Sequence, residues 1–325
     1  MAAGIARRRP RHLNHAAPSP CPPCDPSSAT PMTVTTQPPA FPATVPTRDG
    51  LALHAHAWPA TGPLPARGVA VLVHGLGEHL GRYAHVAARL NAQGWHVFGC
   101  DHRGHGRSPG ARGALHADDD FLHDTAAVVD AARAACAGLP LLLVGHSLGG
   151  AIAARFAAAL ATPPEATPWA RPVEALVLSS PALEIPISNV QKGLLATVGK
   201  LTPDVAVGNG LKPEWVCHNP ATVAAYLADP LVHDRVTGRL TRFLLDAGDT
   251  VLARAPHWTV PTLITWGGED RCVRPQGSEA FAAHAPRALV HAVPWPRLSH
   301  EVFNEVEQDQ VLDAVMAWLG GIFGG

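Results

Sequence analysis

Short apolar runs alternate with helical stretches from about residue 43 onward, and this alternation restricts the chain to few folds. The runs "GVAVLV", "LLLVG" and "ALVLSS" have strand length and few polar positions, which is typical of strands buried on both faces. Stretches such as "GRYAHVAARLNAQG" and the closing "QDQVLDAVMAWLGGIF" have helical periodicity. The alternation predicts an α/β fold with a mostly parallel central sheet and helices on both faces. Asp49-Gly50 predicts a hairpin of two strands that precedes these runs.

The alternation starts late and is interrupted once, which divides the chain into four intervals. Residues 1–42 are rich in proline, serine and threonine, so we expect a disordered tail. Residues 43–183 and 259–325 carry the alternating pattern and are predicted to form the two parts of the core. The interval 184–258 is predicted to be an inserted helical cap that contains the amphipathic stretch "ISNVQKGLLATVGK". An ordinary surface helix has the same periodicity, so the pattern alone does not separate the two.

The net charge and the cysteine content limit which binding partners and which cellular compartment we expect for this protein. The formal net charge of −1 over 325 residues gives no sign of a nucleic-acid partner. The arginine-rich start has no apolar stretch behind it, and no run approaches the roughly 20 apolar residues of a membrane span. Six cysteines are too few for a disulfide framework, and Cys21-Pro-Pro-Cys24 has no second pair to complete a metal site. We therefore expect a cytoplasmic protein.

The stretch "LLLVGHSLGGAIAARF" places Ser147 where an apolar strand meets a helix. Gly145 and Gly149 flank it in the pattern Gly-x-Ser-x-Gly, which allows a sharp turn that projects the serine out of the backbone. A serine hydroxyl becomes an effective nucleophile only beside a base and beside donors for the oxyanion that forms. The pattern predicts a nucleophile, against the alternative that Ser147 only forms a turn or caps the helix.

Partners for such a serine are expected after neighbouring strands. In "VLVHGLGEHLGRY" the strand ends at His74-Gly75, so the backbone N–H groups of Leu76 and Leu148 are predicted to form the oxyanion hole. His74 itself, like His79, is expected to hold this loop by structural hydrogen bonds.

The acid and the base are expected after the last two strands of the core. "LITWGGEDRCV" offers Asp270 as the acid, with Glu269 as its neighbouring competitor. "VPWPRLSHEVFNE" offers His300 as the base. The order Ser147, Asp270, His300 is the one that the α/β-hydrolase arrangement requires.

The chain resembles the monoacylglycerol lipase/lysophospholipase branch of the α/β-hydrolases, serine hydrolases with a short helical cap. The matching segments are "HGLGEHLGRY" (74–83), "DHRGHGRSPGARG" (101–113), "GHSLGG" (145–150), "NPATVAAYLADPLV" (219–232), "GGEDRCV" (267–273) and "LSHE" (298–301). The resemblance implies Ser147 as nucleophile, Asp270 as acid, His300 as base, and the N–H groups of Leu76 and Leu148 as oxyanion donors. It also implies a lipid monoester substrate. Members of the branch often carry a cysteine three residues after the acid, whereas Cys272 comes two after Asp270, so thiol sensitivity does not carry over.

Other functions remain open to different degrees. A general carboxylesterase, an amidase or an acyltransferase would use the same residues, and a hydrolase-fold protein that only binds its ligand belongs to another class. The pairs His54-Ala-His56 and His102-Arg-Gly-His105 lack an acidic ligand at an established spacing, so the sequence predicts no metal site and no cofactor. Transient contact of the cap with a membrane surface is a further expectation, resting on apolar area because the net charge offers no attraction. The oligomeric state stays open.

Overall fold

A mixed sheet forms the centre of the protein in the computed structural model, which describes Met1 and residues 39–62, 65–161 and 167–324. The strands in chain order are β1 Thr44–Pro46, β2 Ala52–Trp58, β3 Gly68–Val73, β4 Trp95–Cys100, β5 Leu141–His146, β6 Ala175–Ser179, β7 Ala206–Gly208, β8 Arg235–Thr237, β9 Thr262–Gly267 and β10 Val290–Trp295. Eight of them form one sheet in the order β1-β2-β4-β3-β5-β6-β9-β10, and β7 pairs with β8 separately. β2 runs antiparallel to β1 and β4. The other neighbours in this sheet, in the order β4, β3, β5, β6, β9 and β10, run parallel to one another.

Helices cover both faces of this sheet, which confirms the predicted fold class. In chain order the helices of the described residues are α1 Ala84–Ala92, α2 Asp120–Ala135, α3 Leu148–Ala158, α4 Asn189–Leu201, α5 Pro220–Ala228, α6 Gly238–Arg254, α7 Pro275–His284 and α8 Gln308–Phe323. One apolar layer joins the sheet to α2, α3, α6 and α7, and the other joins it to α1 and α8. In β3, Val69 and Val71 enter the first layer and Ala70 and Leu72 the second, as the two-residue repeat of a strand requires.

The predicted cap interval, 184–258, contains α4, β7, α5, β8 and α6. α6 packs against α3, and it buries Leu240, Phe243 and Val251 in the core layer. Upstream of α6, the interval exposes apolar side chains to solvent: Val190, Leu194, Leu201, Val205, Val207 and Leu227. The interval therefore holds one helix packed on the core and a more exposed segment before it. Its extent as a cap stays a prediction.

Arg103 anchors the loop that follows β4. Its Nε and Nη2 donate to the two carboxylate oxygens of Asp124, at 2.6 and 2.7 Å. Its Nη1 donates to Asp120 at 2.8 Å and to Asp49 at 2.9 Å, so the side chain joins the hairpin turn to α2. The Arg103 side chain is 1% exposed. The buried guanidinium of Arg103 thus binds three carboxylates and fixes the loop that follows β4.

The predicted disordered tail falls almost wholly outside the described residues, and the Cys21–Cys24 pair lies outside them too. None of the helices in the described ranges combines the length and the apolar character needed to cross a membrane.

Candidate active site

Ser147 occupies a tight turn between β5 and α3. Its backbone has φ 53° and ψ −117°, a left-handed conformation that L-residues adopt rarely. The turn brings α3 so close to the sheet that a Cβ at position 149 would lie 2.0 Å from the Val73 carbonyl oxygen. A Cβ at position 145 would lie 2.3 Å from the Gly149 carbonyl oxygen. Glycine at both positions is therefore required for the backbone to present the serine hydroxyl.

Three side chains that are distant along the chain meet at this turn. The Nε2 atom of His300 lies 2.8 Å from the Oγ atom of Ser147, although 153 residues separate them. The Nδ1 atom of His300 lies 2.6 Å from Oδ2 of Asp270. His300 is 5% exposed. The structure thus brings together, at hydrogen-bond distances, the serine, histidine and aspartate that the sequence predicts.

The loop after β9 decides between the two predicted acids. Asp270 has its second oxygen, Oδ1, fixed by the N–H groups of Cys272 and Val273, at 2.8 and 3.0 Å. Glu269 is exposed, and its carboxylate lies 3.7 Å from the ring of His218. Only Asp270 therefore contacts His300 and is held in place to orient its ring.

The environment of His300 sets its protonation. Burial lowers the pKa of the imidazole, but the charge of Asp270 and the hydrogen bond to it outweigh burial. The net result is a pKa raised above the usual 6.5. A ring held between a hydroxyl and a carboxylate in this way is a strong proton acceptor once it is neutral.

The two predicted oxyanion donors lie with Ser147 on the wall of one cavity. Leu148 is the first residue of α3, where a backbone N–H has no acceptor within the helix. Leu76 follows Gly75, whose own N–H is held by Oε1 of Glu78 at 2.6 Å. The loop is therefore fixed directly before Leu76, and both N–H groups belong to segments beside the serine.

A buried ionic network borders Ser147 on one side, and the sequence analysis did not single it out. Glu78 accepts a hydrogen bond from the Tyr83 hydroxyl at 2.6 Å and pairs with Arg82. Arg82 also donates two hydrogen bonds of 2.7 Å to Glu301, the residue after His300. Burial raises the pKa of the Glu78 carboxyl, but the charge of Arg82, the neighbouring His146 and the hydrogen bonds from Tyr83 and the Gly75 N–H together outweigh burial and lower it. Glu78 and Arg82 are an i, i+4 pair of opposite charge, and this spacing was a sequence signal for part of the network.

Two cavities of different size meet at Ser147. The larger has a volume of about 270 Å³ and a mainly apolar wall, formed by Leu76, Leu148, Ala182, Ile185, Pro186, Ile187, Gln191, Val207, Gly208, Asn209, Leu211, Val236, Thr241, Leu244, Cys272 and Val273. The smaller, about 20 Å³, lies against Glu78, His146, Tyr226, His300 and Glu301. The serine hydroxyl therefore sits between a larger apolar space and a small one that is bordered in part by charged side chains.

Neutral histidines support the loops behind the site. The backbone N–H of His102 donates to Nε2 of His74 at 2.9 Å, and the His102 ring bonds the His74 carbonyl oxygen at the same distance. The His105 ring lies 5.6 Å from His74 and 5.9 Å from His102, centroid to centroid. Burial lowers the pKa of all three rings, that of His74 to about 3. His74 is thus structural, while His79 bonds Asp229 of the cap interval at 2.8 Å.

Comparison with known proteins identifies relatives of this chain. The family model described as Hydrolase_4, serine aminopeptidase, S33, matches residues 65–307. A monoacylglycerol lipase of Mycolicibacterium smegmatis is 40% identical over 256 residues, covering 78% of this chain and 88% of that protein. The phospholipase YtpA of Bacillus subtilis is 29% identical over 80% of this chain and 97% of its own length.

Solved structures agree as well. The crystal structure of the Paleococcus ferrophilus monoacylglycerol lipase superposes with a TM-score of 0.72 at 30% identity. The match covers 83% of this chain and 99% of that one. From the extent of the family match and the identity to full-length relatives, the chain belongs to the serine aminopeptidase S33 family of α/β-hydrolases.

Proposed function

We propose that the protein is a serine ester hydrolase that cleaves monoacylglycerols, with Ser147 as nucleophile, His300 as base and Asp270 as the acid that orients it. The observation that carries this proposal is the hydrogen-bonded series from Ser147 through His300 to Asp270 at the junction of a larger apolar cavity and a small one. The relatives named monoacylglycerol lipase support the substrate class.

The proposed reaction follows from the positions of these groups. His300 Nε2 accepts the proton of Ser147 as Oγ attacks the ester carbonyl carbon, and the N–H groups of Leu76 and Leu148 stabilise the resulting oxyanion. The protonated ring then donates its proton to the leaving alcohol, which leaves an acyl-enzyme. Water attacks that ester by the same steps, releases the fatty acid and regenerates Ser147. The chain and water supply every group that this reaction uses.

The two cavities support a monoester over esters with more chains. An acyl chain fits the apolar wall of the larger cavity, where its burial is favourable. The smaller cavity has room for a hydroxyl group but not for a second acyl chain. We therefore propose that the alcohol side of the substrate is small and bears free hydroxyls.

A lysophospholipid is the second candidate, favoured by the phospholipase among the relatives. Its phosphate would lie beside the carboxylates of Glu78 and Glu301, with Arg82 as the single cation between them. Two carboxylates against one guanidinium disfavour an anionic headgroup. This charge balance ranks the glycerol ester first.

A hydrolysis panel on the purified protein tests the proposed function. We expect 1-monoacylglycerols of medium or long chain to be cleaved faster than the matching di- and triacylglycerols, lysophosphatidylcholine and p-nitrophenyl acetate. A fluorophosphonate probe should label the protein and should fail to label the Ser147→Ala variant. Faster cleavage of the triester or of acetyl esters would contradict the substrate class. Absence of labelling would favour a protein that only binds its ligand.

The pH dependence of cleavage is expected to follow His300. Only the neutral ring accepts the serine proton, and the pKa of His300 is raised above 6.5, so kcat/KM should rise with pH through a limb above that value. Removing the charge of Asp270 in Asp270→Asn should move the limb to lower pH in addition to lowering the rate. A profile measured from about pH 5 to 9 checks both, and a rate that falls with rising pH there would contradict the role of His300.

We propose that the interval 184–258 acts as a cap and touches a membrane surface, in keeping with a cytoplasmic, peripheral location. Val190, Leu194 and Leu201 are 82%, 57% and 84% exposed, which is unusual for large apolar side chains that lie close in the chain. Binding should then depend on apolar area and resist high salt, given the net charge of −1.

Co-sedimentation with phosphatidylcholine vesicles checks this contact. The double variant Val190→Ser/Leu194→Ser is expected to lose most of the bound fraction. Val306→Ser is a matched control, because Val306 is 69% exposed but lies outside the interval. Equal sedimentation of the double variant and the wild-type protein would refute the contact.

A further inference from the structure

Three potential metal ligands meet at the edge of the sheet near β2. His54 and His56 are two residues apart on β2 and therefore project from the same face of the strand. Asp101 follows β4, the strand paired with β2, and its N–H donates to the His54 carbonyl oxygen at 2.9 Å. One ligating atom from each of the three side chains lies within 4.8 Å of the other two. The structure thus supplies the acidic partner that the sequence around His54-Ala-His56 lacks.

Hydrogen bonds and packing hold two of these groups in position. Asp101 is fully buried, and its Oδ1 accepts from the Leu80 N–H at 2.9 Å while Oδ2 accepts from the Arg107 N–H at 2.9 Å. His56 Nε2 lies 3.0 Å from Oδ1 of Asp101. The His56 ring stacks on Trp58 with centroids 5.6 Å apart. Both side chains are therefore preorganised, and such support is what orients ligands in metal sites.

The protonation states at neutral pH suit metal binding. Burial and the neighbouring His56 lower the pKa of His54, so its ring is neutral. Burial raises the pKa of the Asp101 carboxyl, but hydrogen bonds from His56 and from backbone N–H groups lower it well below its usual range. The charge of Arg107 also lowers the pKa of His54 and opposes a second cation, but the Arg107 side chain is exposed and free to turn to solvent.

We propose that His54, His56 and Asp101 form a binding site for a divalent transition-metal ion, Zn²⁺ by preference, separate from Ser147. Two imidazole nitrogens and one carboxylate oxygen are a donor set that Zn²⁺ accepts, with water in the fourth position. Metal–ligand bonds of about 2.0–2.1 Å place tetrahedral ligands roughly 3.3 Å apart. The His56–Asp101 pair already has this spacing, and His54 needs a shift of roughly 1.5 Å or less.

Binding changes one hydrogen bond and creates a link across the sheet. The ion takes the place of the hydrogen bond between His56 Nε2 and Asp101, and the neutral His56 ring then carries its single proton on Nδ1. The ion then joins β2 to the end of β4 and, through Asp101, to the turn at Leu80. Because the unfolded chain does not hold these ligands together, the bound ion should stabilise the folded protein.

Calorimetric titration with Zn²⁺ tests the site on protein without a histidine tag, stripped with EDTA and desalted. We expect one tight equivalent in the wild-type protein and at least a tenfold weaker affinity in His54→Asn and in His56→Asn. His291→Asn is the matched control, because His291 is an exposed histidine of β10. Cys272→Ala serves as a second control, since Asp270, Cys272 and His300 also lie within 4.8 Å of one another.

Thermal melting provides a readout that does not depend on activity. Zn²⁺ should raise the melting temperature of the wild-type protein and of His291→Asn by about 2–4 °C for each tenfold excess over the dissociation constant. Zn²⁺ should leave the melting temperature of the His54→Asn variant unchanged. Tight Zn²⁺ binding that survives both β2 variants, or that disappears in Cys272→Ala, would overturn the proposal, and so would an absence of measurable binding. None of these results bears on ester cleavage, so the two proposals fail independently.

Discussion

The Ser147→Ala variant is expected to lower kcat by about 10⁴–10⁶-fold while the protein stays folded. The reason is geometric. The Oγ atom lies 2.8 Å from Nε2 of His300, in a turn that presents it to both cavities. Steady-state hydrolysis of a monoacylglycerol measures kcat, and circular dichroism checks that the variant stays folded.

The neighbouring groups sharpen this expectation. His300→Ala should lose about as much rate as Ser147→Ala, and the double variant should lose little more than either, because the two residues act as one unit. Asp270→Asn should cost about 10⁴-fold, since the ring then loses the carboxylate at 2.6 Å that fixes its tautomer. Thr250→Ala, which removes a half-buried hydroxyl on α6, is the control and should retain the wild-type rate. Additive losses in the double variant would contradict a shared role.

Replacing Arg103 with methionine is expected to lower the free energy of unfolding by about 3–5 kcal/mol. The substitution keeps most of the side-chain volume but removes the cation that Asp49, Asp120 and Asp124 share. Burial already raises the pKa of the Asp124 carboxyl against the pull of Arg103, so the variant leaves this buried group without its counter-charge. Urea denaturation followed by tryptophan fluorescence measures the change.

An exposed pair provides the comparison for Arg103. Arg171 donates to Asp130 from side chains that are 35% and 53% exposed, so Arg171→Met should cost less than about 1 kcal/mol. Adding Asp124→Leu to Arg103→Met should recover part of the lost stability, because it removes a buried charge. Equal effects at Arg103 and Arg171 would show that burial of the network does not matter.

Local pattern and strand order were enough to predict the sheet and the central residues of the site. Continuous apolar runs identify buried strands, and the carboxyl ends of parallel strands meet at one edge. Ser147, Asp270 and His300 each follow a strand of the sheet, so the sequence predicts that they lie close together.

Contacts that depend on three-dimensional packing were not predictable in this way. Arg82 meets Glu301 across 219 residues, and Asp101 meets His56 across 45, with no local pattern that joins them. Helical periodicity also fails to say which surface an apolar face covers. α4 and α6 are both amphipathic, yet α6 packs on α3 while Val190 and Leu194 of α4 face solvent.

The uncharged rings of His74, His102 and His105 set a lower limit to the pH range in which the fold is stable. An unfolded chain protonates these histidines near pH 6.5, whereas the folded protein resists protonation until much lower pH, about 3 for His74. Acid therefore adds protons to the unfolded state first, and the stability that these rings contribute declines as pH falls below 6.5. An enzyme built this way is expected to be more stable at neutral pH than in an acidic medium.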